Sequence, residues 1–312
     1  MTVAPLLMIE TDIVRVLAAP DRGARIASLI DRRTGRDWLA QGEAPLIGDP
    51  DAEYGLSEAA GWDECFPSVS SCAVNLGPWA GTLRDHGELW GRRWLVDEVS
   101  ERRLSTTYRA KTFRFARSIA LEGATLDVNY RVENLTAQTM PFLWAMHPLF
   151  ALRPGEIIDL PGVDALLPTY LSTANSADAL APLAWPRGDE RIPFPIDRVQ
   201  GAAARFAGKF FAAGNVRHAR LGGPTGWLEM RWRGVSSVGI WITYGAWPDL
   251  NDVVHVAIEP TTSPDDRLSD AIEGGRALSL APGNSATWNV SLSLRTPASS
   301  LTQLGDQTRE RA

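Results

Sequence analysis

Two of the four histidines in this 312-residue chain stand in settings where an imidazole can do chemistry. His86 lies in LRDHGELWGRRW, between an aspartate and a glycine, with Glu88 and the arginines Arg84, Arg92 and Arg93 close by. Glycine follows it because a tight turn demands backbone angles that glycine accepts readily. An imidazole on such a turn is either exposed and inert or held out for a ligand. His147, in FLWAMHPLF, is embedded in apolar residues and followed by a proline that ends regular pairing. Spacing alone favours a satisfied core histidine there. Glu259 ends the apolar run DVVHVAIEP directly before Pro260, at a sheet end where partial desolvation raises a carboxyl toward the range useful for general-base work. His255 in the same run reads as structural, and His218, flanked by arginines in NVRHARLGG, as a surface residue.

The elements that must position these residues are strands. In TLDVNYRVEN, Leu126, Val128, Tyr130 and Val132 alternate with polar residues, the period of a half-buried strand. The preceding FRFARSIALEGA completes a hairpin across Glu122-Gly123. The same pattern predicts hairpins in WLEMRWRGVSSVGIWITY and ALSLAPGNSATWNVSLSLRT, and a strand, turn and return in RIASLIDRRTGRDWL. An antiparallel all-β protein is expected. From Pro154 to about Gly226 the pattern weakens into loop-rich decoration with one short helix around Gly201 to Phe210. Residues 1–296 are expected to form one domain, and 297–312 a polar tail.

Composition bounds the function. With 45% apolar and 22% charged residues the chain has the balance of a globular protein with a sizeable core. A net charge of −6 argues against a nucleic-acid partner. No apolar run approaches the ~20 residues of a membrane span, and the N-terminus lacks the basic leader of a signal peptide. A cytoplasmic location and no membrane partner are the resulting expectations. Cys65 and Cys72 support neither a zinc site nor a disulfide framework. Dinucleotide, P-loop, zinc-protease and serine-hydrolase motifs are all missing from the sequence.

Taken in order, GWDECFP, DHGELWGRRW, HPLF and IEP resemble the aldose 1-epimerase (galactose mutarotase-like) family, over a stretch running from GARIASLIDRRTGRDWL to APGNSATWNVSLSL. The resemblance implies a large antiparallel β-sandwich, the galactose mutarotase-like supersandwich, with the site in a concave cleft. It also implies roles: a sugar contact for His86, the general acid for His147 and the general base for Glu259. That chemistry, opening and reclosing a sugar ring to interconvert anomers, needs one group to take a proton and one to give it, and no cofactor or metal. The expected partner is a monosaccharide, bound by a monomer or homodimer.

The match has gaps that leave the substrate open. Galactose mutarotases carry an Asn-Arg pair upstream of the His-Gly turn, where this chain reads GWDECFPSVS, closer in outline to the hexose-6-phosphate mutarotases. Asp63 and Glu64 in that stretch are expected to bind the hydroxyls of a neutral sugar. Trp62 and Trp90 are taken as stacking faces, Arg92 as a further contact, and Asp249 as a loose counterpart of the family's substrate-binding aspartate. A non-catalytic sugar-binding protein, a hexose-6-phosphate mutarotase, and a hydrolase or lyase on the same scaffold are the competing readings.

Overall fold

The computed structural model describes residues 2–3, 5–42, 46–47, 53–56, 59–173, 181–247 and 251–296. Alternating side chains build two large antiparallel sheets. The smaller has eight strands, in the spatial order Leu95–Val99, Arg103–Arg109, Phe113–Glu122, Thr125–Asn134, Ser285–Arg295, Gly226–Arg233, His218–Gly223 and Ile157–Asp159. The larger has eleven, and its centre runs through Ala165–Leu171, Phe206–Ala212, Ser237–Tyr244, Val254–Thr261, Ala145–Pro148, Trp62–Cys65, Arg25–Asp31 and Val14–Ala19. Among the described residues, helix is confined to Leu268–Glu273 and to short 3-10 turns at Tyr54–Leu56 and Ala202–Ala204. The fold is the all-β supersandwich.

One face of each sheet is apolar, and the two faces meet in a shared core. Phe115, Ile119 and Leu121 point into it from one strand and are paired with Val132, Val128 and Leu126 on the next. Rings fill the middle: Trp144 and Trp288 lie 4.7 Å apart, and Tyr130 stacks on Trp288 at 5.8 Å. Glu64 enters this layer from the larger sheet. It accepts hydrogen bonds from Trp62 Nε1 (3.1 Å) and Trp144 Nε1 (3.0 Å) on its own side. From the smaller sheet come Arg117 (3.0 Å) and the Tyr130 hydroxyl (2.9 Å). Burial pushes its carboxyl up to about 7 against the pull of Arg117. A buried carboxylate with this many donors ties the sheets in one arrangement, because removing any donor leaves a desolvated charge uncompensated.

Several local expectations fail for one reason: alternation tells which face of a strand is buried but not which strand lies beside it. The Phe113–Glu122 and Thr125–Asn134 hairpin forms, as does the short return after Arg25–Asp31. The next two do not. Gly226–Arg233 pairs with His218–Gly223 and Ser285–Arg295 in the smaller sheet, whereas Ser237–Tyr244 crosses to the larger one. Leu278–Leu280 pairs with Met140–Phe142 rather than with Ser285–Arg295. The helix expected from Gly201 to Phe210 is a 3-10 turn followed by strand Phe206–Ala212, whose pairing with Ser237–Tyr244 overrides the alanine-rich start. The segment read as loop decoration also holds strands Ile157–Asp159, Ala165–Leu171 and His218–Gly223. The C-terminal tail expected at 297–312 lies outside the described residues. No helix among the described residues is long and apolar enough to cross a membrane.

Candidate active site

The face of the larger sheet turned away from the core carries a cleft of about 660 Å³. Three adjacent strands set its floor by register. Lys209 is opposite Trp241, Trp241 is opposite Ala257, and Gly239 is opposite Glu259. Period-two alternation therefore sends Lys209, Trp241, His255 and Glu259 into the cleft, while Ile240, Ile242, Val256 and Ile258 go to the core. His147 arrives from Ala145–Pro148 and lines the same floor.

His147 and Glu259 meet there, with Nε2 3.7 Å from Oε1. Oε1 is buried and accepts no hydrogen bond. Oε2 is engaged by the Lys209 ammonium in a close ion pair, and Lys209 Nζ also lies 3.5 Å from Asp266 Oδ1. Gly239 makes room for this pair, since a Cβ there would stand 2.9 Å from Glu259 Oε2 and 3.2 Å from Nζ. Burial raises the Glu259 carboxyl above its ordinary value, and Lys209 opposes that rise. Burial works against the Lys209 ammonium too, but Glu259 and Asp266 outweigh it and hold its pKa above the usual lysine range. Burial, then the neighbouring His86 and Lys209, push the His147 imidazole well below its ordinary value.

The His86 loop closes one side. His86 and Gly87 both take left-handed backbone angles, φ +57° and +71°. A side chain at Gly87 is impossible without moving the backbone, because a Cβ would lie 2.0 Å from Phe66 O. The loop is fixed by His86 N donating to Val69 O and Glu88 N to Phe66 O, each at 2.6 Å. Asp85 Oδ2 holds His86 Nδ1 at 2.8 Å. Tyr54 joins the two imidazoles: its ring stacks on His86 at 3.7 Å, and its hydroxyl lies 3.3 Å from His147 Nδ1.

The structure thus brings together His86, His147 and Glu259 in the cleft, whereas Trp62, Asp63, Glu64, Trp90 and Arg92 do not line it. Glu64 and Trp62 point into the core. Asp63 is opposite His147 in register, but it is buried beneath the lining and held by Arg25 at 2.8 Å. Trp90 lies behind the cleft, edge-on to Tyr54 at 5.1 Å, with Nε1 donating to Asp85 O, so it supports the His86 loop rather than offering a face. Arg92 pairs with Glu88 at 3.1 Å, away from the lining. Asp249 lies outside the described residues. Lining residues that went unread in the sequence include Tyr54, Lys209, Trp241 and Asp266. Lys209 had a signal, a lone charge in the apolar run FAGKFFA. His255, read as structural, is on the cleft floor, where its Nε2 accepts from Trp241 Nε1 at 3.2 Å and burial pushes its pKa down to about 3. His218 is half-buried beside Glu229 at 3.0 Å, outside the cleft. Among the described residues no group of three or more His, Cys, Asp or Glu side chains is placed to hold a metal ion.

Fold and site together define a β-supersandwich protein with an imidazole and a carboxylate paired in the hollow of its larger sheet. The aldose 1-epimerase family model matches residues 15–181, and the chain belongs to that family. Solved structures share the fold at low identity. A protein from Synechocystis sp. is 17% identical, with TM-score 0.69, over 95% of this chain and 98% of that one. A galactose mutarotase-like protein from Lactobacillus casei is 17% identical, with TM-score 0.66, over 93% and 100%. The GalM/aldose epimerase homologue from C. elegans is 10% identical, with TM-score 0.65, over 94% and 99%. Among curated proteins, none matches the chain by sequence.

Proposed function

We propose that this protein is an aldose 1-epimerase that interconverts the α and β anomers of a free, neutral aldose. The observation that carries the reading is the buried, unpartnered Oε1 of Glu259 facing His147 Nε2 across 3.7 Å on the cleft floor. Glu259 takes the proton of the C1 hydroxyl while His147 gives one to the ring oxygen, so the C1–O5 bond breaks and an open-chain aldehyde forms. Rotation about C1–C2 presents the other carbonyl face. Reclosure returns both protons by the reverse transfers.

The cycle needs one mobile proton on the pair. Burial draws that proton toward the carboxyl, since it raises Glu259 and lowers His147. Because reclosure reverses the roles, either location of the proton is a stage of the same reaction, and the pair titrates as a unit. Lys209 on Oε2 turns Oε1 toward the substrate. The Tyr54 hydroxyl oxygen can accept the Nδ1–H of His147, so the mobile proton enters and leaves at Nε2, the nitrogen that faces Glu259. His86, engaged through Nδ1 by Asp85, leaves Nε2 for a sugar hydroxyl.

A neutral sugar suits this field better than a phosphorylated one. Glu64 is bonded within the core and Asp63 is paired with Arg25, but Asp85, Asp265, Asp266 and Asp270 line the cleft against the two cations Lys209 and Arg267. Lys209 is already committed to Glu259. The test is anomer exchange across a panel of free aldoses and their 6-phosphates, followed by polarimetry or NMR. Exchange supports the enzyme; binding of an aldose without exchange supports a sugar-binding protein instead.

A further inference from the structure

We infer that the cleft continues into a second sugar subsite on an aromatic shelf formed by Tyr170, Trp241 and Trp247, and that the preferred substrate is a reducing disaccharide or the reducing end of a longer oligosaccharide. The inference rests on the anomerase reading of His147 and Glu259 and adds the substrate class to it.

Register places the shelf. Tyr170, Lys209, Trp241 and Ala257 are successive cross-strand partners, so they form one row across the cleft face. Trp241 is two residues along its strand from Gly239, which is opposite Glu259, a displacement of ~7 Å at ~3.4 Å per residue. A ring bound over His147 and Glu259 therefore has the Trp241 indole farther along the cleft floor, within reach of a sugar joined to that ring. The cleft volume of about 660 Å³ falls in the range of roughly 300–1,000 Å³ that encloses drug-sized ligands, more than a lone pyranose fills.

The shelf is both exposed and fixed. Tyr170 is 43% exposed, although its ring stacks on Trp241 at 6.1 Å and 24°. Trp241 is pinned from below by its hydrogen bond to the buried His255. Trp247 stands edge-on to Trp241 at 5.5 Å. Flat rings held open beside a polar site offer apolar faces to the C–H faces of a pyranose, and holding them in place beforehand removes the ordering cost of binding. Asp266, which accepts from Thr169 Oγ1 at 3.1 Å, borders the shelf and can take hydrogen bonds from sugar hydroxyls. None of these rings takes part in the proton transfers.

The experiment compares kcat/KM for anomer exchange of glucose with that of maltose and cellobiose, in the wild type and in Tyr170→Ala and Tyr170→Phe. The disaccharides are expected to exceed glucose. Tyr170→Ala should raise KM for the preferred disaccharide about three- to tenfold, the range of an aromatic contact, with glucose turnover unchanged, and Tyr170→Phe should restore it. Glucose exchange without disaccharide preference, or disaccharide KM indifferent to Tyr170→Ala, would overturn the subsite while leaving the anomerase intact. The wild-type preference needs no variant and so stands apart from any folding defect. Calorimetry with methyl β-maltoside and methyl β-cellobioside, which cannot anomerise, separates the two claims in the other direction: Tyr170-dependent binding of either supports the subsite even if no sugar is exchanged, and binding of neither overturns it.

Discussion

Replacing Lys209 with Met keeps the length of the side chain and removes the charge that sits on Glu259 Oε2. The working base is the carboxylate, so the rate is lost as pH falls through the pKa of the Glu259–His147 pair. Burial raises Glu259, and Lys209 is the first of the groups holding it down. An opposite charge at this range lowers a carboxyl by ~1–3 units. Without the ammonium that restraint is gone, and the acidic limb of kcat/KM should move to higher pH by about that amount, equivalent to ~1.4–4 kcal/mol at ~1.4 kcal/mol per unit. Both groups are buried, so solvent screens the interaction little. The assay is anomer exchange from pH 4 to 9 in wild type and Lys209→Met, with melting temperature as the control for folding. A uniform fall in rate with the limb unmoved would show that Lys209 only fills space above Gly239, and the electrostatic argument would fail.

His147→Asn should reduce exchange by ~10²–10⁴ with little loss of sugar affinity, and combining it with Glu259→Gln should add little, since the two groups act on one reaction; steady-state kinetics of the three variants decides. Asp63→Ala strips the carboxylate from buried Arg25 and should cost ~3–5 kcal/mol in denaturant unfolding, whereas a selective loss of sugar affinity at unchanged stability would return Asp63 to the site. Calorimetric titration with matched pairs should show free hexoses binding more tightly than their 6-phosphates, and the reverse order would mean that Lys209 and Arg267 dominate the field of the cleft.

Local chemistry made part of this protein legible before its structure. The His86-Gly87 turn could be read because left-handed backbone and a 2.0 Å approach to Phe66 leave glycine no substitute. The strands around Tyr130 and Ile258 could be read because alternation reports a buried face. What a side chain meets across the fold could not. Asp63 and Glu64 looked like ligands for hydroxyls, yet their partners Arg25 and Arg117 lie 38 and 53 residues away in sequence. Tyr54 was hidden for the same reason: nothing in its neighbourhood foretells that one ring stacks on His86 while its hydroxyl meets His147. Lys209 was masked by an alanine-rich approach that suggested a helix. Trp241 was assigned to a hairpin that the crossing between sheets dissolves.

The rate of anomer exchange for a free neutral hexose, measured by NMR in wild type and in Glu259→Gln, tests the central claim most directly. Glutamine keeps the size and most of the hydrogen bonding of the side chain but cannot accept the C1 hydroxyl proton. The account predicts exchange in the wild type above the buffer rate, a fall of ~10²–10⁴ in the variant, and sugar affinity nearly unchanged. Near-wild-type exchange by Glu259→Gln would contradict it.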